Sequence, residues 1–317
     1  MFEPGRDITG AGAGKVFFHR LGPGSNIKSA RWNLPEWSAG KEEKESVHST
    51  TSCLSVCRLT SRCCSALSSA LSAPHSRLTE LKLVNNNIDD SGMDQLCEGL
   101  RSENCKLEKL YLSFCDLTSR CWSALSSALS SPHSRLTELI LSFNNMEDSG
   151  VDQLCEGLRS ENCKLEKLDL WSCHLTSRYC SALSSALSSP HSRLTELNLS
   201  RNNMEDSGVD QLCEGLRSEN CKLEKLNLSE CRLTSRCCSA LSSAVSAPHS
   251  RLTELNLSSN NMKDSGVDQL CEGLRSENCK LEKLKLWRNE ISKSERKNLR
   301  SLKKELNRTG RQVDIDI

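Results

Sequence analysis

Residues able to do chemistry are plentiful in this chain, and their spacing decides what they can do. Gly10-Ala-Gly-Ala-Gly-Lys15 has the composition of a phosphate-binding loop. Such a loop needs four residues between its glycines and a Ser or Thr after the lysine, whereas three residues and then Val16 stand here. His75, His133, His191 and His249 recur at one equivalent position, two repeat units apart, so they are loop residues spread along the chain rather than ligands of one metal. The 19 cysteines are odd in number and also recur, as in Cys97, Cys155, Cys213 and Cys271, or Cys115, Cys173 and Cys231. The neighbours Cys63-Cys64 and Cys237-Cys238 lack the paired C-x-x-C framework of a zinc site. Reduced, packed thiols are expected. No nucleophile–base–orienter set survives, so the chain is expected to be non-catalytic, with no cofactor and no metal.

Composition narrows the class further. A net charge of +1 over 317 residues predicts no general attraction to nucleic acid or to an anionic membrane. No apolar run approaches the ~20 residues of a membrane span, and the start, MFEPGRDITG, lacks the pattern of a signal peptide. With unpaired thiols, this points to the cytoplasm. Asn198, Asn227 and Asn256 each open an Asn-Leu-Ser acceptor sequence for glycosylation, but they fall on expected strands.

The elements that position these residues come from a repeat. DSGVDQLCEGLRSENCKLEKL stands at Asp148–Leu168, Asp206–Leu226 and Asp264–Leu284, and Asp90–Leu110 differs from it only at Met93. Leu78, Leu107, Leu136, Leu165, Leu194, Leu223, Leu252 and Leu281 follow one another at a constant interval of 29 residues. Two unit types alternate, one with Asn144, Asn202 or Asn260 after the strand, the other with Cys115, Cys173 or Cys231. The pattern L-x-x-L-x-L-x-x-N/C at this period is the leucine-rich-repeat signature.

In each unit Leu139 and Leu141 mark a short strand of period two. Val151, Leu154 and Leu158 then mark one face of a helix, with Asp148 or Ser149 as its expected N-cap. In the alternate unit Leu125 and Leu129 mark the face, with Thr118 or Ser119 as cap, and Ser131–Ser134 ends the helix. The Asn or Cys at the turn is expected to stay inside and satisfy backbone groups that the bend leaves unpaired. Strands stack about 4.8 Å apart and packed helices about 8–10 Å apart, so the array must bend with its strands inside. The expected fold is α/β, a leucine-rich-repeat solenoid or horseshoe with a concave parallel sheet and convex helices.

Three segments follow. Residues 1–48, rich in glycine and with two Pro-Gly steps, are expected to be a disordered leader. Residues 49–280 form the array, its first unit degenerate because Ser49 and Ser52 replace Leu. Residues 281–317 hold the last repeat and a C-terminal cap, with Leu299, Leu302 and Leu306 on a helix that Gly310 ends, and with Val313, Ile315 and Ile317 alternating as an edge strand.

The phrases L-x-x-L-x-L-S-x-N-x-x-x-D-S-G and C-x-L-T-S-x-x-C resemble the ribonuclease-inhibitor-type subfamily of leucine-rich repeats. They are similar in particular to the C-terminal repeats of NOD-like (NACHT–leucine-rich-repeat) receptors of fish. The resemblance covers 49–317. It implies a protein-interaction domain serving ligand sensing or autoinhibition in innate immune signalling. The nucleotide-binding module and effector domain of such receptors have no counterpart in these residues.

Because the copies are so alike, their differences locate a candidate surface. Variation concentrates at strand positions that point out of the concave wall. Tyr111, Phe114, Ile140, Phe143 and Trp171 come from three consecutive units and are expected to form an exposed apolar patch. Asp169 and Arg201 border it, and Trp287 and Arg288 vary at the same positions near the end of the array. Beside them Glu80, Lys109, Glu138, Lys167, Glu196, Lys225, Glu254 and Lys283 alternate in sign, a charge ladder that serves register and solubility. The chain is therefore read as a monomer that binds a protein ligand on its concave face. Alternatives are a ribonuclease-inhibitor-like stoichiometric inhibitor, a regulator of a small GTPase, and a truncated receptor fragment without independent activity. A basic ribonuclease would call for a strongly acidic inhibitor, which a net charge of +1 does not supply.

Overall fold

A computed structural model describes residues 50–317 apart from Ser149; the expected leader over 1–48 lies outside the described residues. Each unit contributes a three-residue strand: β1 (Thr51–Cys53), β2 (Glu80–Lys82), β3 (Lys109–Tyr111), β4 (Glu138–Ile140), β5 (Lys167–Asp169), β6 (Glu196–Asn198), β7 (Lys225–Asn227), β8 (Glu254–Asn256), β9 (Lys283–Lys285) and β10 (Asp314–Asp316). The strands form one parallel sheet in chain order. The register sets Leu on Leu from Leu81 to Leu284, and each of these central leucines is at most 2% exposed. Alternation within the triplet then turns the flanking residues to the open face of the sheet.

The opposite wall is helical: α1 (Cys64–Ser72), α2 (Asp89–Leu100), α3 (Trp122–Leu129), α4 (Val151–Arg159), α5 (Cys180–Leu187), α6 (Glu205–Leu216), α7 (Cys238–Val245), α8 (Asp264–Arg275) and α9 (Lys293–Arg308). The helices pack closely because small residues face one another. A Cβ on Gly215 of α6 would lie 2.6 Å from the Ser184 carbonyl oxygen and 2.8 Å from its Cα on α5. The Gly of the repeated CEGL thus sets the distance within the pairs α1–α2, α3–α4, α5–α6 and α7–α8.

The turn leaving each strand behaves as its sequence predicts. Asn144 accepts from the backbone N–H of Cys115 at 3.0 Å and of Leu117 at 3.1 Å, and donates to the carbonyls of Leu112 at 2.9 Å and Leu141 at 2.7 Å. Asn202 repeats this with Cys173, Leu175, Leu170 and Leu199, all at 2.8–3.0 Å. In the alternate units the Cys115 thiol donates to the Leu83 carbonyl at 3.2 Å. One amide serves four buried backbone groups in two units at once.

The expected helix caps are corrected in part. Asp148 does not cap α4. Its carboxylate instead accepts from the backbone N–H of Thr176 at 2.8 Å and from that residue's hydroxyl, one unit further on. Asp90 holds Thr118 in the same way, at 2.7 and 2.5 Å, and Asp206 holds Thr234 at 2.8 and 2.5 Å. The Asp of DSG is therefore a tie to the next unit's L-T-S phrase. A charge-assisted pair of bonds to a fixed neighbour outweighs a single N-cap bond to a terminus that stays accessible to water. Ser149 lies outside the described residues. Thr118 does act as a cap, accepting from Arg120 N–H at 3.3 Å, but of a 3-10 turn, Ser119–Cys121, that precedes α3.

One helix departs from its siblings although its sequence is theirs. Helix α4 begins only at Val151, after Gly150 at φ 90°, whereas α6 begins at Glu205 and α8 at Asp264. The cause is in the preceding unit. Trp122 stands where the equivalent units have Cys64, Cys180 or Cys238 and is fully buried. A Cβ on Gly150 would meet its Cδ1 at 2.8 Å, and its Nε1 donates to the Met146 carbonyl at 3.3 Å. The indole takes the space that the first turn of α4 would fill.

At the array's start β1 pairs with β2 although Ser52 stands opposite Leu81. Backbone bonds and the Thr51 hydroxyl, which donates to Glu80 at 3.3 Å, hold this strand, and the first unit's Leu54, Leu59 and Leu67 are only partly buried against the core. At the other end Leu299, Leu302 and Leu306 of α9 are buried, as are Val313 and Ile315 beside β10. Gly310, at φ 87°, closes the helix.

All nineteen cysteines are free thiols, sixteen of them buried, with Cys53 exposed and Cys57 and Cys63 half-buried. Burial pushes the thiols of Cys97, Cys155 and Cys213 up to about 12.

Three measurements test this account. Asn202→Ala strands buried backbone groups on two units and should lower unfolding stability by ~3 kcal/mol or more, whereas Asn203→Ala, one residue on and partly exposed, should change it by less than ~0.5 kcal/mol; urea titration separates them. Thiols that ionise near pH ~8.5 in the unfolded chain stay protonated to about 12 in the folded one. The native state then binds more protons across that window, so under reducing conditions stability should fall as pH rises from ~8.5. In native buffer Ellman's reagent should react readily only with Cys53, Cys57 and Cys63.

Candidate functional site

The open face of the sheet carries two outward residues per strand, and a third variable side chain sits on the turn that follows. That turn position is Asn85, Phe114, Phe143, Ser172, Arg201, Glu230, Ser259 and Arg288 in successive units, and its φ lies between 54° and 58° in every one of them. The left-handed conformation lets the backbone N–H continue the inter-unit ladder: Phe114 N donates to Ser142 O at 3.1 Å and Phe143 N to Trp171 O at 2.9 Å. An L-residue with a Cβ is strained there, by roughly 1–2 kcal/mol. With Val56 of the first unit, at φ 59°, the fold supplies the same strained perch nine times, and two of the nine hold phenylalanine.

Those two rings meet. Phe114 and Phe143 stack with centroids 4.1 Å apart, and Phe143 meets Trp171 edge-to-face at 4.5 Å. The Arg201 guanidinium lies 6.0 Å from the Phe143 centroid and extends the row. Phe114 remains 38% exposed, large for a phenylalanine ring. Behind the stack a groove of about 330 Å³ opens between Phe114, Phe143, Asn145 and His174. On the sheet itself Tyr111 lies beside Ile140, and Ile140 beside Asp169. The Lys82 ammonium sits 5.3 Å from the Tyr111 ring centroid. Burial first, then the carboxylates of Glu138 and Glu80, push the Tyr111 phenol up to about 12. It stays a neutral hydroxyl at any physiological pH.

Asp169 is occupied by the wall. It accepts from the Ser142 hydroxyl at 2.7 Å, from Trp171 N–H at 2.9 Å and from the Asn198 amide at 2.8 Å. These bonds fix the backbone of Trp171 against the neighbouring units, so Asp169 supports the aromatic row. Trp287 and Arg288 lie apart from it, after β9, where the guanidinium stacks 4.4 Å from the indole and Trp287 is 42% exposed.

The charge ladder takes form in the middle of the sheet. Glu138 lies between Lys109 at 3.7 Å and Lys167 at 2.9 Å, and Glu196 between Lys167 at 3.9 Å and Lys225 at 2.6 Å. Glu80 pairs instead with Lys82 of its own strand, at 2.8 Å, because that residue is Lys only in the second and ninth strands. Between the ladder and the turns runs a feature that the sequence reading passed over. Asn198, Asn227 and Asn256 line a groove of about 240 Å³ over β5–β9, together with Lys285. The signal was present as three successive Asn at one variable position, but polar residues on a polar wall suggested nothing.

None of these groups forms a nucleophile–base pair or a metal-ligating cluster among the described residues. What the arrangement offers is a broad surface with one apolar end and one polar end. Among the described residues no helix is long and apolar enough to cross a membrane.

The family comparison agrees with the architecture. A family model described as "Leucine Rich repeat" matches residues 76–97, 103–120, 134–155, 192–213, 219–242 and 250–271. The mouse "NACHT, LRR and PYD domains-containing protein 9B" is 49% identical over 70 residues, 22% of this chain and 7% of that protein. The macaque "NACHT, LRR and PYD domains-containing protein 3" is 53% identical over 68 residues, 22% of this chain and 6% of that one. The solved structure "Crystal structure of PEPR1-AtPEP1" aligns with 69% of this chain and 29% of its own, at 17% identity and a TM-score of 0.40.

The aromatic row has a test of its own. Phe143→Gly removes both ring contacts, worth ~0.5–1.5 kcal/mol each, but also relieves the left-handed strain of ~1–2 kcal/mol. The melting temperature should therefore shift little, while the near-ultraviolet circular dichroism of the Phe–Trp cluster disappears; a large fall in melting temperature would show that the ring is core. The chain carries leucine-rich repeats, and they are similar to those of the NACHT, LRR and PYD domains-containing proteins.

Proposed function

We propose that this chain is a non-catalytic interaction domain that holds a protein partner on its concave face, through Tyr111, Phe114, Ile140, Phe143 and Trp171. The observation that carries the reading is the continuous Phe114–Phe143–Trp171 row, with rings 4.1 and 4.5 Å apart on a face that the core does not need. Aromatic clusters of this kind dominate protein interfaces because they bury a large area at low entropic cost. The similarity to NACHT, LRR and PYD domains-containing proteins supports a role in innate immune sensing inside the cell, with the concave face reading a ligand or holding an autoinhibitory contact. The chain works as a monomer in this reading, each array offering one face. Trp287 and Arg288 form a second contact point further along the same face.

A ribonuclease-inhibitor-like role gains no support from the face itself, where Lys and Glu alternate rather than presenting acid alone.

The double variant Tyr111→Ala/Phe143→Gly should bind the cognate partner at least ~100-fold more weakly with its melting temperature nearly unchanged. A convex-face change, Glu214→Ala on α6, should bind as the parent does. Equal capture by the parent and the double variant would sink the concave-face assignment.

A further inference from the structure

The row of residues Ile140, Asp169, Asn198, Asn227, Asn256 and Lys285 crosses β4 to β9 at one strand position. The amides in it have a fixed orientation. Asn198 Oδ1 accepts from Ser200 N–H at 3.1 Å, Asn227 Oδ1 from Ser229 N–H at 3.1 Å, and Asn256 Oδ1 from Ser258 N–H at 3.1 Å. A backbone N–H can only donate, so the oxygen must face it and the Nδ2 must face away. The Ser200 and Ser229 hydroxyls donate to the same oxygens, at 2.7 and 2.9 Å, which uses their protons as well. One Asn198 Nδ2 hydrogen goes to Asp169; among the described residues no acceptor reaches the Nδ2 of Asn227 or Asn256.

Charge follows the same direction. Lys283 and Lys285, at the far end, have no carboxylate within ion-pair distance among the described residues, while Asp314 is taken by Lys303 at 2.5 Å. Glu196 is held between two lysines and Asp169 by three donors. Glu230, Glu254 and Asp316 are nearby carboxylates outside such pairs, on the turn after β7, on the ladder and on β10. The row thus begins apolar at Tyr111 and Ile140, passes Asp169, whose carboxylate already accepts from three donors, continues through the Asn227 and Asn256 amides, which turn donors outward, and ends on cations.

We propose that the partner contributes an extended, acidic peptide segment laid across this row, with an apolar side chain at Ile140 and Phe143 and a carboxylate at Lys285. Five strand steps of ~4.8 Å separate β4 from β9, which an extended chain at ~3.3 Å per residue covers in about seven residues. The segment's carbonyl oxygens meet the Asn227 and Asn256 amides, whose donors have no other use. Tracts with basic residues near the carboxylate end are rejected by Lys283, Lys285 and Arg288. This rests on the concave-face reading above and specifies its ligand.

The test is selection of a displayed random-peptide library on the full chain, followed by affinity measurement against four variants of matched helical content: Phe143→Gly, Asn227→Asp, Lys285→Glu and Glu214→Ala. Asn227→Asp keeps the oxygen that Ser229 needs and replaces the donor with an acceptor. Enriched peptides should carry an apolar residue and a carboxylate about seven positions apart. They should lose at least ~10-fold in affinity with Asn227→Asp and with Lys285→Glu, and exchange of the peptide's acid for lysine should restore binding to Lys285→Glu. Basic or charge-free enriched peptides, binding insensitive to Asn227→Asp and Lys285→Glu, or no enrichment at all would overturn the acidic-segment proposal. Loss with Phe143→Gly alone would do so while leaving the concave-face reading standing; binding unchanged in Phe143→Gly, Asn227→Asp and Lys285→Glu alike would remove both.

Discussion

A parallel sheet whose chain must leave every strand and cross to a helix creates buried, unpaired backbone groups at each turn, in an apolar interior where each such group costs ~1–3 kcal/mol. The side chain of Asn144, and of its equivalents Asn86, Asn202 and Asn260, removes that penalty in two neighbouring units at once. The Cys115, Cys173 and Cys231 thiols do a smaller version of the task in the alternate units, reaching back to carbonyls 3.2–3.3 Å away. Because each amide spans two units, no unit is satisfied alone. Stability is shared between neighbours, as it must be in an array where each repeat touches only those beside it.

The same turn creates the candidate surface. Once the Asn or Cys is fixed inside, the residue before it is forced to φ near 55° and its side chain projects from the end of the strand. Backbone bonds to the next unit hold the conformation whatever the side chain, so this position can vary without loss of fold. Phe114, Phe143 and Arg201 occupy it in one half of the array and Glu230, Ser259 and Arg288 in the other. Structure is carried by the repeated phrase, and difference by the few residues that the phrase leaves free. The polar row from Asn198 to Lys285 follows the same logic one step inward, with Ser200 and Ser229 orienting amides that the neighbouring strands then set in line.

Much of this was legible from spacing. Leucines at a constant interval dictate stacked identical units; the change from period two to a helical period dictates strand then helix; and the mismatch between strand and helix spacing dictates which wall is inside. The aromatic residues could be assigned to one neighbourhood because consecutive units are adjacent by construction. Their contact geometry could not, since stacking of Phe114 on Phe143 depends on the left-handed turn. The direction of the Asn198, Asn227 and Asn256 amides was equally hidden, because only the position of the Ser200, Ser229 and Ser258 N–H groups decides it. The cap assigned to Asp148 failed for a related reason. A carboxylate at the start of a helix reads locally as a cap, and the Thr176 that claims it lies 28 residues away.

Helix α4 separates the two kinds of information. Its residues from Asp148 onward are those of α6 and α8, letter for letter, and the sequence alone determined that all three would be helices of the convex wall. Where α4 begins was settled by Trp122, an indole in the preceding unit at a position that its siblings fill with a thiol. Hydrophobic periodicity is a property of a segment and can be read along the chain. Excluded volume between segments is not, and the first turn of a helix, with its backbone groups still open to solvent, is the part that yields most easily to it.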